Sequence, residues 1–160
     1  GWLSDSHWRW HQLAYSAVKA ANPRALVVTR ALLSEEDVRS FLSSGARADA
    51  IAVHVYGYPL APRAQQMGAW LEGRGPIWIT EFGIEEKVIP LDHAASEGGW
   101  EQIQAREWRE IYKAAAGRYD RIYGYQLRTS GSETHGIVRP DGTWRPAAEW
   151  LRTMMISPGA

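Results

Sequence analysis

The sequence predicts an α/β fold built on a parallel sheet, and two observations carry that reading. Helix-like and strand-like stretches alternate along the chain, the signature of βαβ units. The strand-like stretches are short and rich in branched or aromatic residues, at 25–29, 50–56, 77–81 and 121–127. A length of 160 residues suggests a single domain spanning 1–160. Such a domain buries about 70% of its unfolded surface, so a real core is possible.

The first element is a helix. From His7 to Ala21, the residues Trp10, Leu13, Ala14, Ala17, Val18 and Ala21 recur at helical spacing and predict an amphipathic helix. Asn22-Pro23 ends it, because the residue before proline avoids the α region. Ala25–Thr29 reads as a short buried strand. Ser34 caps the next helix, with Glu35, Glu36 and Asp37 complementing its positive end and Val38, Phe41 and Leu42 turned inward. Ala50–Tyr56 is the second strand, and a helix runs from Pro62 to Glu72 after it. Ile77–Glu81 is the third strand. Gly83 to Gly99 reads as a long loop, of the kind that often forms a binding loop or lid. Trp100 to Ala116 is a strongly amphipathic helix, Arg121–Leu127 the fourth strand, and Pro146 to Met154 the last helix.

Four strands with helices between them amount to about half of the roughly 250 residues in a full (β/α)8 barrel. The expected fold is therefore half of a TIM (β/α)8 barrel, four parallel strands with flanking helices. An open doubly wound sheet is the alternative, but no G-x-G-x-x-G or Walker loop comes after any strand.

Composition excludes several functions. Eighteen basic and eighteen acidic residues give zero formal charge, which argues against nucleic acid and charged membranes as partners. The absence of cysteine removes disulfides, thiol nucleophiles and thiolate metal sites. No apolar run approaches the roughly 20 residues of a membrane span, and Gly1–Asp5 lacks a signal-peptide pattern. His7 and His11 share a helix face, but with no third ligand nearby in sequence they are not read as a metal site. No cofactor motif appears. Nine tryptophans and seven tyrosines point towards carbohydrate, since these side chains pair a flat apolar face with a hydrogen-bonding edge. Core packing explains any single tryptophan equally well.

In a parallel barrel, chemistry sits at the C-terminal ends of the strands. The second strand ends His54-Val55-Tyr56, and alternation places Ala52, His54 and Tyr56 on one face. The third ends Ile79-Thr80-Glu81, where the same alternation groups Glu81 with Ile77 and Ile79. A carboxylate after an apolar strand is costly unless paired, so Glu81 is either a functional acid or a strand-end cap. Glu85, Glu86 and Glu133 read as solvated loop acids. There is no serine nucleophile elbow, and Ser130–Ser132 reads as a loop.

These motifs resemble clan A glycoside hydrolases, the superfamily of cellulases and β-xylosidases. Ile-Thr-Glu-Phe-Gly at 79–83 is similar to their seventh, nucleophile-bearing strand, and His54-Val-Tyr56 to the end of their sixth. The segment 135–147, with its Asp-Gly-Thr turn and Pro-Ala helix start, is similar to the stretch after their eighth strand. The leading helix through Asn22-Pro23 to Val28 looks like the entry to strand five. The resemblance thus covers nearly the whole chain and implies strands five to eight of a barrel. It implies that Glu81 is the catalytic nucleophile, that Tyr56 orients it, and that His54 lines the sugar site. It further implies sugar contacts by Tyr125 (where the family commonly carries tryptophan) and by Gln126, with Trp100 and its loop folding over the barrel mouth. The family's acid/base glutamate ends strand four in an Asn-Glu pair, and this sequence contains no such pair. Activity then requires the other half-barrel, from an N-terminal half-barrel chain or a second copy in a homodimer. The competing expectation is a half-barrel that binds carbohydrate, or serves structurally, without turnover. The family also implies a secreted or extracytoplasmic setting.

Overall fold

A computed structural model describes residues 2–129 and 131–156, so Ser130 of the 130–132 loop lies outside the described residues. Branched residues at alternating positions form β1 (Ile51–Tyr56) and the apolar part of β2 (Ile77–Gly83), and β3 (Arg121–Gly124) completes a parallel sheet of order β1-β2-β3. The helices are α1 (Trp2–Ala21), α2 (Glu35–Ser44), α3 (Leu60–Trp70), α4 (Leu91–Ser96), α5 (Trp100–Ala115) and α6 (Pro146–Ile156).

The expected strand at 25–29 does not form, so the sheet has three strands rather than four. The chain there runs parallel to β1 but touches it only through the isolated bridges Val28↔Ala50 and Leu32↔Val53. A side chain interrupts the ladder: Ala52 N donates to Thr29 Oγ1 at 2.9 Å, in place of a backbone carbonyl.

The first helix is present but turned. The sequence directs Trp10, Leu13 and Val18 inward, yet Trp10 is 70% exposed and Leu13 54% exposed, while Trp8 and Tyr15 are buried. The helix packs chiefly on α2, through Trp8 against Phe41 at 5.2 Å and an indole hydrogen bond to Ser40 Oγ at 2.8 Å. With one main packing helix, the contact angle and not the widest apolar stripe decides which face is covered.

The core lies between one face of the sheet and the helices, built from Ile51, Val53, Val55, Ile77, Ile79 and Phe82 against residues such as Leu60, Met67, Ile103, Trp108 and Ile111. Phe82 and Trp108 rings meet at 4.6 Å. The opposite face is open. Val28, Thr29, Ala31, Ala52, His54, Trp78, Thr80 and Tyr123 line a shallow depression of about 430 Å³ there. Parallel sheets are ordinarily covered on both faces, so this is a partial fold.

The stretch expected as the loop 83–99 is ordered into a 3-10 turn at Glu86–Val88 and the short α4. Ile84 and Ile89 anchor it in the core. Tyr58 Oη pins α4 through His93 Nδ1 at 2.9 Å and α5 through Arg106 at 3.0 Å.

Candidate active site

Parallel pairing runs Val53↔Ile79 and then His54↔Glu81, so Thr80 is an extra residue in a β-bulge. The bulge changes which way Glu81 faces. Ile77 and Ile79 are buried among the helices, whereas Glu81 emerges beside His54 on the open face. Simple alternation had grouped Glu81 with the two isoleucines; one inserted residue reverses its side.

At this end of the strands, Tyr56, Gly57, Glu81, Glu85, Val88, Tyr125, Glu133 and His135 surround an open cavity of about 460 Å³. The Tyr56 hydroxyl donates to Glu81 Oε2. His54 Nδ1 lies 3.4 Å from the same oxygen. Among the described residues, no hydrogen bond or ion pair engages Glu81 Oε1. Burial and the Glu81 hydrogen bond push the Tyr56 hydroxyl far above its usual range, so it remains a donor at any working pH.

The opposite wall comes from the segment after β3. The Tyr125 ring packs edge-on against Tyr56 at 6.0 Å and against His135 at 5.5 Å. Glu133 Oε2 accepts from the Tyr125 hydroxyl at 3.2 Å and from Gln126 Nε2 at 3.3 Å. The Glu133 charge raises the Tyr125 hydroxyl's pKa. The His135 ring sits 5.3 Å from Tyr56, with Nδ1 3.6 Å from Glu85 Oε1. Burial outweighs the neighbouring carboxylates and lowers the His135 pKa, favouring the neutral imidazole.

A polar frame behind the wall fixes its backbone. Gln104, fully buried on α5, donates to the carbonyls of Thr134 and His135 at 3.4 and 3.1 Å. Arg145 donates to Thr134 O at 2.9 Å and to Gly136 O, and its Nε reaches Glu101 at 3.1 Å. Arg139 pairs with the same Glu101. Trp100 belongs to this frame. Its ring lies 4.4 Å from the Arg145 guanidinium and it is not among the residues lining the cavity.

Of the residues singled out from the sequence, Tyr56, Glu81 and Tyr125 line the cavity, His54 touches Glu81, and Gln126 reaches it through Glu133. Trp100 lies apart. Sequence reading missed Glu85, Glu133 and His135 as cavity residues. Glu85, expected in solvent, is only 8% exposed and pairs with Lys87 at 2.6 Å. Its one signal in the sequence is its place directly after the buried Ile84.

The profile of the family described as "Glycosyl hydrolase catalytic core" matches residues 20–116. No curated protein sequence matches the chain. Among solved structures, a GH39 β-xylosidase from Caulobacter crescentus superimposes with a TM-score of 0.62 at 14% identity, over 92% of this chain and 37% of that one. A GH128 endo-β-1,3-glucanase from Amycolatopsis mediterranei gives 0.62 at 18% identity, over 91% and 64%. An endo-1,4-β-D-mannanase from Thermotoga petrophila gives 0.61 at 13% identity, over 94% and 51%. The likeness is one of fold, and this chain spans 37–64% of the length of these three relatives. All three are clan A TIM-barrel enzymes, as the strand-end motifs led us to expect. With its profile match extending over more than half of its residues, the chain belongs to the glycosyl hydrolase catalytic core family.

Proposed function

We propose that this chain carries the nucleophile half of a retaining glycoside hydrolase acting on a β-linked glycan. The observation behind this reading is the bulge-directed Glu81, with Tyr56 and His54 both at Oε2 and Oε1 left unengaged beside the cavity. A carboxylate held by one oxygen is oriented while its other oxygen can attack. Oε1 bonds to the anomeric carbon as the glycosidic C–O bond breaks, and the leaving oxygen takes a proton from an acid. Water, deprotonated by the same group, then attacks the anomeric carbon and releases Glu81.

That acid must stand about 5–5.5 Å from the nucleophile in a retaining enzyme. Glu85 and Glu133 are already committed to Lys87 and to Tyr125 and Gln126. We assign the acid/base to an N-terminal half-barrel covering the open sheet face; a second copy would cover that face but carries the same acids and no Asn-Glu pair. The part-exposed Trp78 and Thr80 and the exposed Tyr123 on that face support this reading.

The test uses a reagent that needs no acid. A dinitrophenyl glucoside bearing fluorine next to the anomeric carbon loses dinitrophenolate unaided, and the fluorine slows release of the glycosyl-enzyme. Intact mass should show one fluorosugar added, mapped by peptide digestion to Glu81 and absent from Glu81→Gln. Label on another residue, or equal label on Glu81→Gln, would sink the assignment. A chain that binds glycan but takes no label would be a carbohydrate-binding half-barrel instead.

A further inference from the structure

The segment after β3 does more than close the cavity. Glu133 is fixed through Oε2 by Tyr125 and Gln126, and no contact among the described residues engages its Oε1. A carboxylate oxygen held at a cavity rim is a strong acceptor for sugar hydroxyls, because charge-assisted hydrogen bonds are about twice as strong as neutral ones. His135 lies next to it, gripped between Tyr56 and Tyr125. Its buried Nδ1 has no hydrogen-bond partner and faces Glu85 Oε1 at 3.6 Å. A proton on Nδ1 directed at Glu85 leaves Nε2 as the ring's acceptor, and His135 lines the cavity. Three carboxylates, Glu81, Glu85 and Glu133, line this space, and no Lys or Arg does so among the described residues. Lys87, bound to Glu85, has a mostly exposed side chain and is not a lining residue.

We propose that Glu133 and His135, with Glu85 behind the imidazole, form a hydroxyl-reading wall that selects a neutral sugar ring and turns away glycuronides. The proposal rests on Glu81 being the nucleophile, since that places the reacting sugar between the two walls. Glu133 and His135 each accept from a ring hydroxyl. A carboxylate on the sugar instead meets fixed negative charge, with no cation among the described lining residues of this chain to receive it, and like charges that cannot separate discriminate strongly.

The experiment labels the full chain with two reagents, the dinitrophenyl fluoroglucoside and its glucuronide counterpart, and reads half-saturating concentration and limiting rate separately. Wild type should favour the glucoside. Glu133→Gln keeps the side chain's size and removes its charge, so it should shift the glucoside-to-glucuronide ratio towards the glucuronide by about fivefold or more. His135→Gln should raise the half-saturating glucoside concentration about tenfold with a smaller effect on limiting rate. An unchanged ratio together with an unchanged half-saturating concentration overturns the proposal while leaving the Glu81 reading intact. No label on wild type from either reagent overturns the Glu81 reading. The wall is then judged by titrating the chain with laminaritriose and following the His135 imidazole signal by NMR. Weaker binding by Glu133→Ala supports it, whereas equal affinity, or no binding by wild type, overturns it.

Discussion

Tyr56 and Glu81 meet because a bulge in β2 sets Glu81 opposite His54, two residues before Tyr56 on the neighbouring strand. The tyrosine then donates to Oε2 from the side and leaves Oε1 to the cavity. This bond is charge-assisted, and its donor cannot ionise at ordinary pH because burial and Glu81 both hold the proton on. Tyr56→Phe removes the donor and keeps the ring that packs on His54, Tyr125 and His135. Losing a hydrogen bond to a charged group costs about 1.5–3 kcal/mol. Labelling of Glu81 by the fluoroglucoside should therefore slow by about ten- to a hundredfold, with far-UV circular dichroism unchanged. An unaltered labelling rate would show that the hydroxyl does not prepare the carboxylate.

Gly83 ends β2 because nothing larger fits. A Cβ there would stand 2.6 Å from the Tyr125 carbonyl and 2.8 Å from His135 Cδ2. Its φ is not in the left-handed region, so the constraint is space and not backbone conformation. Gly83→Ala must push the β3 segment and His135 away from β2. Overpacking of this kind typically costs about 1–3 kcal/mol, which chemical denaturation should detect. The same variant should perturb the His135 imidazole resonance. A denaturation curve superimposable on wild type would mean that the wall is looser than its contacts indicate.

The sequence made some of this legible and hid the rest for physical reasons. Ala52, His54 and Tyr56 share a face as alternation requires, because β1 is buried on its other side by Ile51, Val53 and Val55. Glu81 was found by its position after an apolar strand, but its direction was not, since a bulge leaves no mark in the alternation of Ile77 and Ile79. Thr29 replaced a ladder bond with its side chain, which composition cannot announce. Trp10 and Leu13 carry helical periodicity without burial because α1 packs chiefly on α2, through its Trp8 side. Glu85 and Glu133 were read as solvated because charged loop residues usually are. Their partners, His135 for one and Tyr125 with Gln126 for the other, meet them only once the segment after β3 folds back. Trp100 reads in sequence as part of a loop folding over the barrel mouth, and in the fold its ring lies against Arg145.

Burial of His135 also gives the fold a pH dependence with a definite sign. In the unfolded chain the imidazole titrates near 6.5, and in the folded chain its pKa is lower, chiefly because burial disfavours the charged ring. Below 6.5 the unfolded state therefore binds more protons than the folded state, so stability falls as pH drops through that value towards the folded pKa. Above 6.5 the contribution is fully present. One proton allows at most about 1.4 kcal/mol per pH unit, and the partly open ring should yield well under that. His7 is shifted the same way, also mainly by burial, so wild type alone does not isolate the effect. The comparison with His135→Gln does, because His7 titrates equally in both. Urea unfolding at about pH 7 and about pH 5.5 should show a smaller loss of stability in the variant than in wild type. Equal losses in both proteins would place the acid sensitivity elsewhere and show that folding does not lower the His135 pKa.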